Sequence, residues 1–275
     1  MHKYIFFLAI NFILLQQPGY SQNSNLRYEI LLNNGMLKDS VLYGSLVSCL
    51  DISPQHFITL ANSNQMFLLG WGGVTPIGNK SKQAISGFAY TSDGLLLTVQ
   101  YKNLCYINKE GNWESLFNLP APNMSIAQGK EVIYVYDNEH NMERYNAYAL
   151  AKAGRYKKLF VSPKPIKEIC ELGDSIYTVI ENGIYSYSPQ KNKLSVLIVL
   201  EKGMEITSLA TDPVNEIFYF STQTSIFAYK KNSLVILTNE FPGSKVKHFG
   251  NGLIIFNPFS KNILRIVNVA SSIEF

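Results

Sequence analysis

The chain has 275 residues, 47% of them hydrophobic and only 16% charged, a balance that supports a large buried core and excludes a disordered polyelectrolyte. Its net charge of +4 comes with no basic run and no arginine-rich stripe interleaved with aromatics, which excludes nucleic acid as a partner class. Cys49, Cys105 and Cys170 show no CxxC or CxxxH spacing and each sits in an apolar strand-like stretch, so they read as small core hydrophobes.

Reading from the amino terminus, His2 and Lys3 precede an apolar run from Tyr4 to Leu15 that ends at Gln16, Gln17 and Pro18. Gly19 and Ser21 then occupy the small-residue positions that signal peptidase prefers before a cut ahead of Gln22. Residues 1–21 are therefore expected to be a secretory signal, and 22–275 a single exported domain, periplasmic or extracellular. The apolar run is too short for the roughly 20 residues that span a bilayer as a helix, and the mature chain has no other candidate span.

After this segment comes a repeat. The apolar anchors Leu50, Phe88, Ile126, Cys170, Leu209 and Phe249 are spaced 38, 38, 44, 39 and 40 residues apart. Each anchor is followed by a polar turn and a β-branched or aromatic run, the grammar of a strand, a tight turn and a second strand. The second strands are expected at Phe57 to Leu60, Leu95 to Val99, Val132 to Tyr136, Ile176 to Ile180, Ile217 to Phe220 and Leu253 to Phe256. Third strands follow in five units, at Met66 to Leu69, Leu104 to Ile107, Gly183 to Tyr187, Ser225 to Tyr229 and Asn262 to Ile266. Fourth strands are visible around Leu116 and Phe117 and at Lys157 to Val161, Val196 to Leu200 and Val235 to Thr238.

Four strands per unit of about 40 residues is the pattern of a propeller blade, because each small sheet can bury its faces only against its neighbours. The expected fold is all-β, a six-bladed β-propeller of four-stranded antiparallel blades; a degenerate unit in Tyr28 to Leu46 would make seven. The sixth unit lacks an outer strand. Leu37 to Tyr43, with Tyr28 to Leu32 as the alternative, is expected to supply it and close the ring. The longer third unit is expected to carry a protruding loop over Asn138 to Ala153.

The stretch Ile206-Thr207-Ser208-Leu209-Ala210-Thr211-Asp212-Pro213-Val214-Asn215-Glu216-Ile217-Phe218-Tyr219-Phe220 resembles the blade opening of six-bladed propellers with NHL-type repeats and of gluconolactonase-like proteins. The likeness covers roughly residues 46–266 and implies architecture. For gluconolactonase-like enzymes it also implies a divalent metal held in the channel by acidic and amide side chains. Asp51, Asn123, Glu168, Glu171 and Glu205 lie near blade openings, but at unequal offsets from their anchors, and strand alternation would turn several away from a common point. Asp93, Asp174 and Asp212 occupy turns where Asp bonds its own backbone. No HxH or HExxH is present, so neither a metal site nor a cofactor is expected.

Candidate ligand contacts are the lysines before the first strands, Lys82, Lys164, Lys167, Lys245 and Lys247, with Glu205 beside them and His248 on an innermost strand. Gathered at one rim, these lysines would attract an anionic ligand; spread out, they are solvated loop residues. Candidate partner contacts are Trp71, which either stacks on a sugar or packs between blades, and His140, Arg144 and Tyr145 in the expected loop. The sequence thus points to an exported, non-catalytic module of the cell envelope that binds a protein or glycan, or alternatively to a hydrolase or lyase acting on a small ester or sugar.

Overall fold

A computed structural model describes residues 26–32, 48–70, 73–138, 144–151, 155–258, 262–273 and 275. They form six four-stranded antiparallel sheets. Blade 1 comprises Cys49–Ile52, Ile58–Ala61, Met66–Gly70 and Gly73–Ile77, and blade 2 Ile85–Tyr90, Leu96–Gln100, Asn103–Ile107 and Trp113–Asn118. Blade 3 is Ser125–Gln128, Ile133–Tyr136, Tyr145–Leu150 and Tyr156–Ser162, and blade 4 Ile166–Leu172, Ser175–Ile180, Gly183–Ser188 and Lys193–Val199. Blade 5 is Ile206–Asp212, Ile217–Thr222, Ile226–Lys230 and Ser233–Thr238. Blade 6 takes Lys245–Phe249, Gly252–Phe256 and Ile263–Val267 from the carboxyl end and Arg27–Leu32 from the amino end.

The second strands are the most apolar because both of their faces are covered by neighbouring blades, as in Ile133–Tyr136 and Gly252–Phe256, where every residue is buried. The buried hydrophobics form six clusters, one for each seam. Leu32, Leu50, Leu60, Ile254 and Phe256 fill the seam between blades 6 and 1. Ala89, Val99, Ile126 and Val135 fill that between blades 2 and 3, and the other seams are filled in the same way. Polar ties cross the seams too: Thr59 and Tyr90 hydroxyls are 2.6 Å apart, and Tyr187 donates to the Leu159 carbonyl at 2.7 Å.

Two expectations are corrected. First, an amino-terminal strand closes the ring as expected, but it is the alternative stretch, Arg27–Leu32, paired from Arg27↔Val267 to Leu32↔Ile263; Leu37 to Tyr43 lies outside the described residues. An outermost strand needs only one buried face, so Arg27 and Glu29 are tolerated on the other, Glu29 pairing with Arg265 at 3.6 Å, while Leu32 enters the core. Second, Tyr145–Leu150 is not loop but the third strand of blade 3, its register running from Tyr136↔Ala147 to Ile133↔Leu150. Tyr145 is buried there, which argues against its role as a partner contact, whereas Arg144 is exposed. Trp71 and His140 lie outside the described residues.

Candidate functional site: the mouth of the central channel

Each innermost strand touches the innermost strands of both neighbouring blades, so the six make a ring around a central channel. Where these strands begin, a cavity of about 200 Å³ opens. Its wall includes Ser48, Ser86, Ser125, Tyr136, Lys167, Glu168, Lys245 and Lys247. A second groove, of about 270 Å³, lies between blades 2 and 3, but it is walled chiefly by Leu95, Leu97, Leu116, Phe117 and Val132. Convergent charge is found at the channel.

β-Bulges account for part of this convergence. In blade 4 the register passes from Ile166↔Ile180 to Glu168↔Val179, leaving Lys167 as the extra residue. Lys167 and Glu168 both reach the cavity wall, which an unbroken strand would forbid because neighbours alternate faces. The same shift in blade 2 brings Ser86 and Gly87 to the wall together. Blade 6 shows no such shift, and plain alternation sends Lys245 and Lys247 to the wall while Val246 and His248 turn toward blade 5.

The floor of the site is an ionic triad. Lys247 Nζ lies 3.5 Å from Glu168 Oε1 and 3.9 Å from Asp51 Oδ1, tying blade 6 to blades 4 and 1. The side chains are 31% exposed for Lys247, 14% for Asp51 and 16% for Glu168, so the group is enclosed but reached by channel water. Burial pushes the Asp51 carboxyl up, against the pull of Lys247. Burial opposes the charge on Lys247, but Glu168 and Asp51 outweigh it and hold the ammonium well above its ordinary value. Tyr136 is raised far above the usual tyrosine value by burial and then by Glu168.

Of the expected ligand contacts, the structure brings Lys167, Lys245 and Lys247 together at the mouth. Glu205 is in contact with Lys167 as its counter-ion, and Lys164 pairs with Glu181 at 3.1 Å. Lys82 is exposed in the connection between blades 1 and 2 and does not line the cavity. His248 stands on the innermost strand of blade 6, as expected, but faces the seam between blades 5 and 6, stacked on Tyr219 at 6.3 Å, with Nε2 3.4 Å from Asp212 Oδ2. Burial lowers its basicity, against the opposing pull of Asp212.

The acidic candidates separate in a way that offsets from the anchors did not reveal. Asp51 and Glu168 converge, but Glu171 stitches blades instead, accepting from the Tyr134 hydroxyl and from the Lys130 amide at 2.7 Å. Asp212 caps its own turn, accepting from the Val214 and Asn215 amides at 3.0 Å each. Among the described residues, no three His, Cys, Asp or Glu side chains are grouped as metal ligands. Tyr136 was not anticipated at the site, because it comes from a second strand rather than a first, and nothing in its local sequence separates it from its buried neighbours.

No family model matches the chain, and no curated protein does. Solved structures do. A protein assigned to the gluconolactonases is similar at 12% identity and TM-score 0.67, over 89% of this chain and 92% of that one. A gluconolactonase from Xanthomonas campestris is similar at 10% identity and TM-score 0.66, over 89% and 90%. The extracellular domain of a hybrid two-component system from B. thetaiotaomicron is similar at 15% identity and TM-score 0.60, over 84% of this chain and 32% of that one. At these identities the likeness shows a six-bladed propeller of gluconolactonase-like shape, and the fold alone.

Proposed function

We propose that the chain is an exported, non-catalytic β-propeller that serves as a binding or scaffold module of the cell envelope, presenting the channel mouth to a glycan or protein partner. The observation that carries this reading is the cavity of about 200 Å³ where lysine, glutamate, tyrosine and serine side chains converge. Its ionisable groups are largely occupied with one another: Lys167 with Glu205, and Lys247 with Glu168 and Asp51. Such pairing holds the groups in fixed positions across the mouth, which suits recognition. The amino-terminal pattern from His2 to Ser21 supports export.

The test is direct binding of purified mature protein to an array of envelope glycans, with a pull-down from an envelope extract in parallel. Binding that is lost in a Lys245→Ala, Tyr136→Phe double variant of unchanged melting temperature supports the channel mouth. Binding indifferent to that change removes it.

A hydrolase or lyase acting on a small ester or sugar is the second reading. Tyr136, Glu168 and Lys247 meeting at one cavity wall favour it, since a lyase or esterase needs such neighbours. Turnover of a lactone and ester panel, abolished in Tyr136→Phe, would establish it.

A further inference from the structure

We propose that the channel mouth binds the carboxylate of an acidic monosaccharide unit between Lys245 and Lys247, and that binding is coupled to uptake of one proton by Asp51. This rests on the binding reading above and specifies its ligand.

The charges at the mouth are equal in number but uneven in place, Lys167, Lys245 and Lys247 standing with Glu168, Glu205 and Asp51. Three lysines line the wall, Lys167, Lys245 and Lys247, against one acid, Glu168. Glu205 compensates Lys167 and the Glu168 and Asp51 pair surrounds Lys247, which leaves Lys245 as the wall cation with no ion-pair partner among the described residues. The unpaired Lys245 ammonium draws an anion locally, and because the six groups together sum to zero, a bound carboxylate calls for one compensating proton. Lys245 and Lys247 are two residues apart on one strand and so project to the same side. Lys247 also has donors to spare. Its contacts of 3.5 and 3.9 Å are well beyond the roughly 2.7–2.9 Å of a charge-assisted hydrogen bond.

The rest of the wall suits a sugar ring. Ser48 donates to the Ala61 carbonyl at 3.2 Å and Ser86 to the Val99 carbonyl at 3.3 Å, so each keeps oxygen lone pairs that can accept from a sugar hydroxyl. A cavity of about 200 Å³ is smaller than the roughly 300–1,000 Å³ that holds a drug-sized ligand, and it admits one ring rather than a chain.

The proton follows from the triad. Asp51 is faced by Lys247 from blade 6, by Glu168 from blade 4, by Tyr136 from blade 3 and by Tyr90 from blade 2, while Cys49 stands two residues away on its own strand and Cys170 adjoins Glu168, Lys247 and Tyr136. Lys247 is the cation in that list. A ligand carboxylate that draws on Lys247 leaves Asp51 beside Glu168 with less compensation, in an enclosed site where like charges are costly. Taking one proton from solvent onto an Asp51 carboxylate oxygen relieves this, and the burial that already raises its pKa acts in the same direction.

The experiment is isothermal titration of the mature chain with glucuronate, glucose and inorganic phosphate, in two buffers of different ionisation enthalpy, between about pH 5 and pH 7. Glucuronate is expected to bind at least about tenfold more tightly than glucose or phosphate, with affinity rising up to about tenfold per pH unit as pH falls and net proton uptake approaching one. Lys245→Ala should weaken glucuronate at least about tenfold and leave glucose unaffected. Asp51→Asn should keep glucuronate binding but abolish proton uptake and flatten its pH dependence. Glucose binding as well as glucuronate overturns the carboxylate site while leaving glycan recognition in place, and phosphate equalling glucuronate overturns the sugar class. Tight glucuronate binding with no proton uptake overturns the role of Asp51. If none of the three probes binds but the glycan array is positive, the inference fails alone; if the array is also blank, the binding reading fails with it.

Discussion

Glu168 in blade 4 and Lys247 in blade 6 meet at 3.5 Å, although all of blade 5 separates them along the ring. With Asp51 of blade 1 at 3.9 Å on the other side of the same ammonium, the pair makes a bracket across the channel. It is the one place among the described residues where three blades are joined by a shared charge.

Replacing Lys247 with Met should therefore strand two enclosed carboxylates. Breaking a fully buried pair costs about 3–5 kcal/mol, and water access to this one reduces the expected loss at neutral pH to about 1–3 kcal/mol, read from denaturant unfolding. The sign with pH is fixed by Asp51, whose folded pKa is already raised in the intact protein. Between the ordinary carboxylate range and that raised value the folded state binds more protons than the unfolded one, so stability falls as pH rises through the window. Without the ammonium the window widens upward. The variant should regain stability on acidification, and an Asp51→Asn, Lys247→Met double variant should lose that dependence.

His248 should act in the opposite sense. Its folded pKa lies below the ordinary histidine value because of burial, so the unfolded chain takes up the proton first as pH drops. Stability contributed by the neutral imidazole is lost as pH falls from about 6.5 through the folded pKa. His248→Phe keeps a ring against Tyr219 and should flatten the unfolding midpoint over that interval; an unaltered pH profile would show that His248 does not govern it.

Ring closure concentrates on Leu32, which is fully buried in the seam between blades 6 and 1. Leu32→Ala should cost about 2–5 kcal/mol. Val214, 85% exposed at a turn, is the matched control, and Val214→Ser should change the unfolding free energy by less than about 0.5 kcal/mol. Deleting residues 22–32 removes the whole outer strand of blade 6 and should yield aggregation through the bared edge, visible in size-exclusion profiles.

Gly252 opens the second strand of blade 6 where a Cβ would lie 2.3 Å from the Ile266 carbonyl oxygen. That oxygen is backbone and cannot rotate away. Gly252→Ala should destabilise by at least about 1–3 kcal/mol, whereas Gly70→Ala, where a Cβ would meet nothing within 4 Å, should be near neutral by thermal melting.

What the sequence determined by itself is the blade. Local rules suffice for that: β-branched and aromatic runs of strand length, Asp, Gly and Pro in the turns, and a spacing near 40 residues that repeats. Those rules place all six second strands and the need for a closing strand. They mistook Tyr145–Leu150 for loop because its polar Asn146 weakens the apolar run, and that strand is recognisable only by its pairing with Ile133–Tyr136. Tyr28 to Leu32 was legible as one of two candidate closing strands, and only the tertiary structure chose it, because the choice rests on its pairing with Ile263–Val267 across the whole length of the chain. It also decided the site. A bulge adds one residue to a strand and reverses which side chains face the channel, and in this way Glu168 reaches the cavity beside Lys167. The meeting of Asp51, Glu168 and Lys247 depends on that register and on the curvature of the whole ring, neither of which is encoded within any one repeat.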